Sequence, residues 1–388
     1  MCLRGKHPTR QTMRIKTLFT ASTGFEAARH IDTLATQQSD DAANPANSAN
    51  PTSRLHGHSF LASLHCALPP GWARFPGGEV EQLQAELKSR VAPLDYRQLN
   101  NLIARPTDEN VGRWLRSQLQ APGIEQVSVR SAPHQGVDLD AAGHAHVWRR
   151  YAFQSAHWLP NVAPGHKCGR MHGHGFEAIL HADQDKAGCD RRVDHALLDA
   201  VWAPLHRELD HACLNDLAGL RNPTSELLSS WLWERIRPAL PELSGITVYE
   251  TASCGAHFNG ERYRIWKELT LDSALQLRQA PDGDPLRRIH GHTYTLRLNL
   301  SAPLDTVMGW AVDFGDVKQL FNPIFQAIDH QPLHEIADLA DCDTASIAAW
   351  ILEKARVHLP SLDTVGLFET PGCGAIVSID QEGSALPV

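Results

Sequence analysis

His56-Gly57-His58, His172-Gly173-His174 and His290-Gly291-His292 repeat one tripeptide at intervals of 116 and 118 residues. Residues i and i+2 of a β-strand point to the same face, so each copy can aim two imidazoles at one metal ion. An interval this close to the commonest domain size divides the 388-residue chain into three copies of one domain. The expected boundaries are 13–145, 146–261 and 262–388, after an N-terminal extension of residues 1–12. Polar stretches fit the junctions: Asp138–His146, rich in Ala, Gly and His, and Gly260–Arg262.

Each copy reads outward from the motif in the same order. A first strand leads in, as in Leu18–Ile31, Arg149–Leu159 and Arg264–Leu277, and a second follows the motif at once. In the third copy Tyr294, Leu296, Leu298 and Leu300 alternate with Thr295, Arg297 and Asn299, giving one buried and one polar face; Phe60 and Phe176 hold the place of Tyr294. Two helices come next. In the middle copy Leu198, Val201, Trp202, Leu205 and Leu209 form one apolar stripe, and Leu227, Leu228, Trp231, Leu232 and Ile236 form the other. Asn222-Pro223 resembles an N-cap with proline at the first helical position, and Pro204, like Pro323, is expected to kink its helix. Further strands close each copy, visible in Ile124–Arg130, Ile246–Glu250 and Val365–Glu369. The order ββααββ predicts an α+β fold, a four-stranded antiparallel sheet with both helices on one face.

Composition narrows the function. A formal charge of −8 and a pI near 6.2 leave no basic stripe for a nucleic-acid backbone. Eight cysteines without a C-x-x-C pair suggest reduced thiols and a cytoplasmic protein; Cys66, Cys189, Cys213, Cys254, Cys342 and Cys373 read as packing residues. No apolar run is long enough for a membrane span, and the basic, polar first twelve residues are not a secretory signal. Met13 is the expected start, and Thr36–Pro51, rich in Ala, Asn, Ser and Asp, reads as a flexible loop within the first copy. His134, His144 and His146 lie in the first linker and are expected to be solvated.

The middle copy carries the chemistry. His157 ends its first strand, and Cys168-Gly-Arg-Met-His172-Gly-His174 opens its second. Three imidazoles from neighbouring antiparallel strands match a three-histidine catalytic zinc site with its fourth position open. Beside a cation, the Cys168 thiol pKa is expected to fall, so that a thiolate can serve as base. Asp210-His211 offers a carboxylate–imidazole pair for proton transfer.

These residues resemble the 6-pyruvoyltetrahydropterin synthase superfamily, and within it the 6-carboxytetrahydropterin synthase branch of queuosine biosynthesis. The resemblance covers roughly Trp148–Glu261 and rests on Gly165-His-Lys-Cys-Gly-Arg-Met-His-Gly-His174, Leu209-Asp-His-Ala-Cys-Leu-Asn215, Asn222-Pro-Thr-Ser-Glu226 and Tyr249-Glu-Thr251. The C-x3-H-G-H spacing is that of the carboxy-forming branch. The resemblance implies that His157, His172 and His174 bind zinc and that Cys168 abstracts the proton. It further implies that Asp210 and His211 form the relay, Glu250 anchors the pterin and Glu226 lines its pocket. The implied reaction converts 7,8-dihydroneopterin triphosphate to 6-carboxytetrahydropterin, acetaldehyde and triphosphate. The competing expectations are 6-pyruvoyltetrahydropterin synthase and a pterin-binding scaffold without turnover. Relatives with this tunnelling fold assemble as trimers around a twelve-stranded barrel, so three copies in one chain imply a pseudo-trimer that pairs with a second chain.

The outer copies depart from the pattern. In the first, Arg29 stands at the first-ligand place with His30 out of phase, Thr52 replaces the cysteine, Tyr96 the relay histidine, and Arg130-Ser131 the Glu-Thr pair. In the third, Leu275, Leu286 and Ala345 replace the first ligand, the cysteine and Glu226, while Asp329-His330 and Glu369-Thr370 are kept. The surviving Asp329-His330 offers a cross-unit source for the middle copy's relay, the alternatives being Asp210-His211 of the same unit or of a second chain.

Overall fold

A computed structural model describes residues 15–31, 51–184, 193–304, 309, 314–339 and 342–379. The N-terminal extension, Met13, Cys189 and all but the end of the Thr36–Pro51 insertion lie outside the described residues.

Twelve long strands follow one another around a closed antiparallel barrel. The first four are β1 (Lys16–Arg29), β2 (His56–Cys66), β3 (Ile124–Ala132) and β4 (Gln135–Leu139). The next four are β5 (Ala145–His157), β6 (His172–Asp183), β7 (Leu243–Thr251) and β8 (Cys254–Phe258), and the last four are β9 (Tyr263–Leu275), β10 (His290–Ser301), β11 (Leu362–Thr370) and β12 (Cys373–Ser378). Each pairs with its predecessor, and β12 returns to β1 with Lys16 opposite Ser378. Closure leaves no long strand with a free edge, the condition that otherwise invites strand addition.

The same plan repeats in each quartet of strands: a long hairpin, two helices, a shorter hairpin. The helices are α1 (Glu79–Val91), α2 (Asp108–Gln118), α3 (His195–Leu209), α4 (Ser225–Ile236), α5 (Phe314–Ile328) and α6 (Thr344–Ala355). They cover one face of the sheet, and the alternation of the strands supplies the apolar partners. Phe60, Ala62, Leu64 and Cys66 of β2 pack with Leu83 and Leu87 of α1, and Phe176, Ala178, Leu180 and Ala182 of β6 pack with Leu198 and Trp202 of α3. Stacked pairs, Phe25 on Phe60 and Phe153 on Phe176, bridge the long hairpins of the first two quartets.

Several local expectations change. Two of the polar alternates do not face solvent: Arg297 and Asn299 are buried, because the second face of the sheet lines the barrel's lumen, while Thr295 nearer the strand's start is exposed. Asp138–His146 is no linker; it holds the end of β4, a tight turn and the start of β5, so hydrogen bonding runs across the boundary without a gap. His144 and His146 are engaged there, at 3.1 Å from Asp140 and 2.6 Å from Asp183. The cap of α4 is Thr224, whose hydroxyl accepts from Leu227 N–H, so Asn222-Pro223 precedes the cap. Pro204 and Pro323 each lie within one uninterrupted helix. The β-register also corrects one equivalence: Tyr249 lies opposite Glu177 and Arg130 opposite Leu61, which makes Ser131-Ala132, one residue on, the counterpart of Glu250-Thr251.

Candidate metal centre and its two counterparts

At one end of the barrel His157, on the last residue of β5, lies directly opposite His172, on the first residue of β6. The His172 and His174 side chains share a face, and the three rings converge with centroids 4.4, 5.3 and 5.1 Å apart. Glu250 of β7 joins them: its Oε1 lies 3.3 Å from His174 Nε2, and one donor atom from each of these four residues falls within 4.8 Å of the others. This is the one such cluster among the described residues.

The hydrogen bonds behind the rings set the tautomers. His157 Nδ1 donates to the Pro223 carbonyl at 3.0 Å and His172 Nδ1 to the Arg170 carbonyl at 2.8 Å. That leaves each Nε2 with a lone pair, and the buried His157 Nε2 has no hydrogen-bonding partner. Burial, reinforced by the neighbouring rings, holds the His157 pKa below its usual value, so the ring is neutral at pH 7 as ligation requires. Burial alone would raise the Glu250 pKa, but hydrogen bonds with His174 and Ser225 outweigh it and keep the group an anion. Three convergent imidazoles and a carboxylate around an unsatisfied centre fit a zinc ion.

Cys168 sits in a short helical turn, Lys167–Gly169, capped by His166. Its carbonyl accepts from Leu159 N–H at 2.8 Å, which ties the turn alongside the strand end that bears His157. Asn215 fixes the same strand end, accepting from Trp158 N–H and donating to the Trp158 carbonyl. Asp210 and His211 hang from the outer edge of β5: Asp210 accepts from Gln154 N–H at 2.8 Å, and His211 N–H donates to the Gln154 carbonyl. His211 Nδ1 lies 2.8 Å from Asp210 Oδ2, while its ring is 79% exposed. His211 has φ near 58°, as have its counterparts Tyr96 at 53° and His330 at 56°. A left-handed backbone at a residue other than glycine costs about 1–2 kcal/mol, and here it recurs where each quartet turns back onto its first strand. Glu226 is buried in the first turn of α4.

The two counterparts keep the frame and change the contents. In the first quartet Arg29 lies opposite His56, as His157 lies opposite His172. Its guanidinium donates to the Pro106 carbonyl at 2.8 Å, the equivalent of the Pro223 carbonyl, and to Asp108 at 2.6 Å, with His58 Nε2 at 3.4 Å. Ser131 donates to Asp108, whereas in the middle quartet Ser225 donates to Glu250, so hydroxyl and carboxylate have exchanged places between helix start and strand end. A fixed organic cation thus stands where the middle quartet has its convergent imidazoles. Burial and then the Arg29 charge push the His58 pKa down to about 4. Arg29→Ala should lower stability by about 3–5 kcal/mol, the usual cost of leaving one member of a buried ion pair alone. Chemical denaturation measures this, and Asp108→Asn should recover part of the loss in the double variant.

In the last quartet Leu275 lies opposite His290. Glu369, the counterpart of Glu250, accepts from Thr344. Burial, then the Glu81 carboxylate of α1, pushes its pKa up to about 7, the reverse of Glu250. The folded state therefore keeps a proton up to about pH 7 that the unfolded chain releases near 4.5, so this group's contribution to stability falls as pH rises across that window. In thermal melts, Glu369→Gln should flatten the decline between those limits.

Sequence reasoning missed the Arg-apolar pair before every motif, Arg54-Leu55, Arg170-Met171 and Arg288-Ile289. The three arginine carbonyls accept from the first motif histidines at 2.7, 2.8 and 2.7 Å. Comparing five residues per copy instead of three would have found it.

The sequence pattern of 6-pyruvoyl tetrahydropterin synthase matches residues 146–261 and again 264–380. A 6-carboxy-5,6,7,8-tetrahydropterin synthase from Synechocystis is 32% identical over 123 residues, 30% of this chain and 94% of that protein. A dihydroneopterin monophosphate aldolase from Pyrococcus furiosus is 32% identical over 72 residues, 19% of this chain and 60% of that protein. Among solved structures, 6-pyruvoyl tetrahydropterin synthase from Caenorhabditis elegans aligns with 29% of this chain and 92% of its own at 19% identity and a TM-score of 0.27.

Proposed function

The chain belongs to the 6-pyruvoyl tetrahydropterin synthase family, and from that premise we propose that it is a zinc-dependent 6-carboxytetrahydropterin synthase with one working site in three tunnelling-fold units. The reaction takes up water and converts 7,8-dihydroneopterin triphosphate to 6-carboxytetrahydropterin, acetaldehyde and triphosphate. The observation that carries this reading is the four-residue donor set at His157, His172, His174 and Glu250, which neither outer unit reproduces among the described residues. The C-x3-H-G-H spacing and the Synechocystis relative favour the carboxy product over the pyruvoyl one.

Bound at His157, His172 and His174, zinc would polarise the hydroxyls of the substrate side chain and acidify the neighbouring C–H. Cys168, on the turn beside His157, takes that proton. Glu250, held by Ser225 and facing His174, offers its carboxylate to the amino-pyrimidinone edge of the pterin and anchors it. Glu226, buried in the first turn of α4, lines the pterin pocket.

The relay comes from the third unit. Asp329 accepts from Asp272 N–H at 3.1 Å and His330 N–H donates to the Asp272 carbonyl, which fastens the pair to β9. That strand is hydrogen-bonded to β8 and, through Glu268 N–H, to Ser253 in the hairpin that follows Glu250. Asp210-His211 flanks β5 instead, next to the first unit's hairpin, where Arg150 N–H donates to the His134 carbonyl. Position along the sheet thus supports Asp329-His330 as the pair serving the middle unit's substrate.

A second chain fits over the same end of the barrel. Leu55, Met171 and Ile289 occupy one position in the three units and are 61, 58 and 68% exposed. Sedimentation should report a homodimer, and Leu55→Glu with Ile289→Glu should return it to single chains.

The decisive assay is incubation of the zinc-loaded protein with 7,8-dihydroneopterin triphosphate and mass spectrometry of the products. A 6-carboxytetrahydropterin product supports the reading; a 6-pyruvoyl product, or none, removes it.

A further inference from the structure

The lumen of the barrel is not a uniform pore. On the wall contributed by the middle quartet and β9, Trp148, Ile179, Tyr249 and Trp266 pack together as an apolar plug. The walls contributed by the outer quartets are polar, and between them lies a cavity of about 180 Å³. A ring of three identical chains would carry the same bulky residues on all three walls; three unlike units can fill one side and leave the other open.

The cavity wall carries Arg130, Arg264 and Arg297 but a single carboxyl, Asp138. Glu268, directly opposite Arg297 across the β9–β10 pair, holds it at 2.7 Å, and Asp363 holds Arg264. Arg130 lies over the Trp148 ring at 5.4 Å and Arg297 over Trp266 at 5.8 Å, so the aromatic plug positions both guanidinium groups. Burial lowers the Arg130 pKa; Asp138 opposes that shift, and Arg150 and Arg297 add to it. Burial raises the Asp138 pKa, favouring the neutral form that can donate. His65 and Asn299, 7 and 6% exposed, also line the cavity. His65 Nδ1 and Asn299 Oδ1 have no hydrogen-bonding partner.

Guanidinium groups set over an aromatic plug, a carboxyl that burial drives toward neutrality and an unpartnered imidazole nitrogen around one cavity describe a receptor for negative charge. We propose that this chamber binds one compact oxyanion, of the size and charge of phosphate, between Arg130 and Arg297, with His65 and Asn299 as further partners. The site is separate from the candidate metal centre and uses none of its residues. Its occupant would tie the first unit's β3 to the third unit's β10 across the lumen, adding a bond between the chain's outer units.

Calorimetric titration of inorganic phosphate into the full-length protein tests this, with sulfate, acetate and chloride as arms that separate a tetrahedral oxyanion from a carboxylate and from general ionic strength. One saturable phosphate site per chain is expected, kept in His172→Ala and weakened at least tenfold in Arg130→Gln and in Arg297→Gln. Asn299→Asp, which places a carboxylate in the chamber while leaving both arginines, should abolish binding and guards against misfolding of the arginine variants. In NMR titrations the His65 ring should become more basic as phosphate binds. Absence of saturable binding by phosphate or sulfate, or binding that Arg130→Gln and Asn299→Asp leave unchanged, would overturn the proposal.

Discussion

Cys168→Ala is expected to keep its zinc and its affinity for the pterin while losing turnover by a factor on the order of 100 or more, the usual contribution of a positioned proton-transfer group. The reason is positional. The Cys168 turn is fastened by backbone bonds, Leu159 N–H to the Cys168 carbonyl and Cys168 N–H to His166 Nδ1, and none of these involves the thiol. Removing the sulfur therefore leaves the strand end and the His157 ring in place. Single-turnover kinetics with metal analysis of the same sample distinguishes the cases. A variant that fails to bind substrate, yet turns over what it binds at the normal rate, contradicts the assignment of Cys168 as base.

His330→Ala is expected to lose turnover about as severely, and His211→Ala to keep it. Both histidines are exposed, both pair with the preceding aspartate and both have the left-handed backbone. What separates them is the strand each is fastened to. His330 follows β9, past the hairpin that carries Glu250; His211 follows β5, past the hairpin that carries Ser131. The Asp329 carboxylate raises the His330 pKa by its hydrogen bond and then by its charge. The imidazole is thus the acid form up to a higher pH, and the high-pH limb of the His330-dependent rate should move to lower pH in Asp329→Asn. Full activity in His330→Ala beside a dead His211→Ala would place the relay within the middle unit and leave the last unit purely architectural.

Much of this molecule could be read locally. The tripeptide interval, the period-2 alternation after each motif and the 3.6-residue stripes of Leu198–Leu209 and Leu227–Ile236 are short-range patterns, and they located the long hairpins and helices to within a few residues. The convergence of the three histidines was equally legible, because His157 and His172 face each other across a single pair of adjacent strands. What the sequence hid depends on non-local pairing. Arg297 and Asn299 read as solvent-facing until the sheet closes on itself and turns that face inward. The one-residue slip that put Arg130 in place of Ser131 could not be seen without the partner strand, since register flips a side chain to the opposite face. The exchange of hydroxyl and carboxylate between Asp108-Ser131 and Ser225-Glu250 needs two elements in contact before it has meaning. Glu250 read as a partner of the heterocycle alone because the end of β7 had not been placed beside His174.

The outer units differ from the middle one in what fills the corresponding centre. Arg29 fills the first unit's centre with a guanidinium group bonded to Asp108. The third unit puts leucine at the first-ligand place and brings a second carboxylate, Glu81, near Glu369. Each change breaks the donor set while keeping the hydroxyl–carboxylate bond that holds a helix start against a strand end.

Elemental analysis of the purified chain after removal of loosely held metal tests this most directly, run on the wild type beside His172→Ala, His56→Ala and His290→Ala. One zinc per chain is expected in the wild type and in the two outer variants, and none in His172→Ala; three per chain, or zinc surviving in His172→Ala, would contradict it.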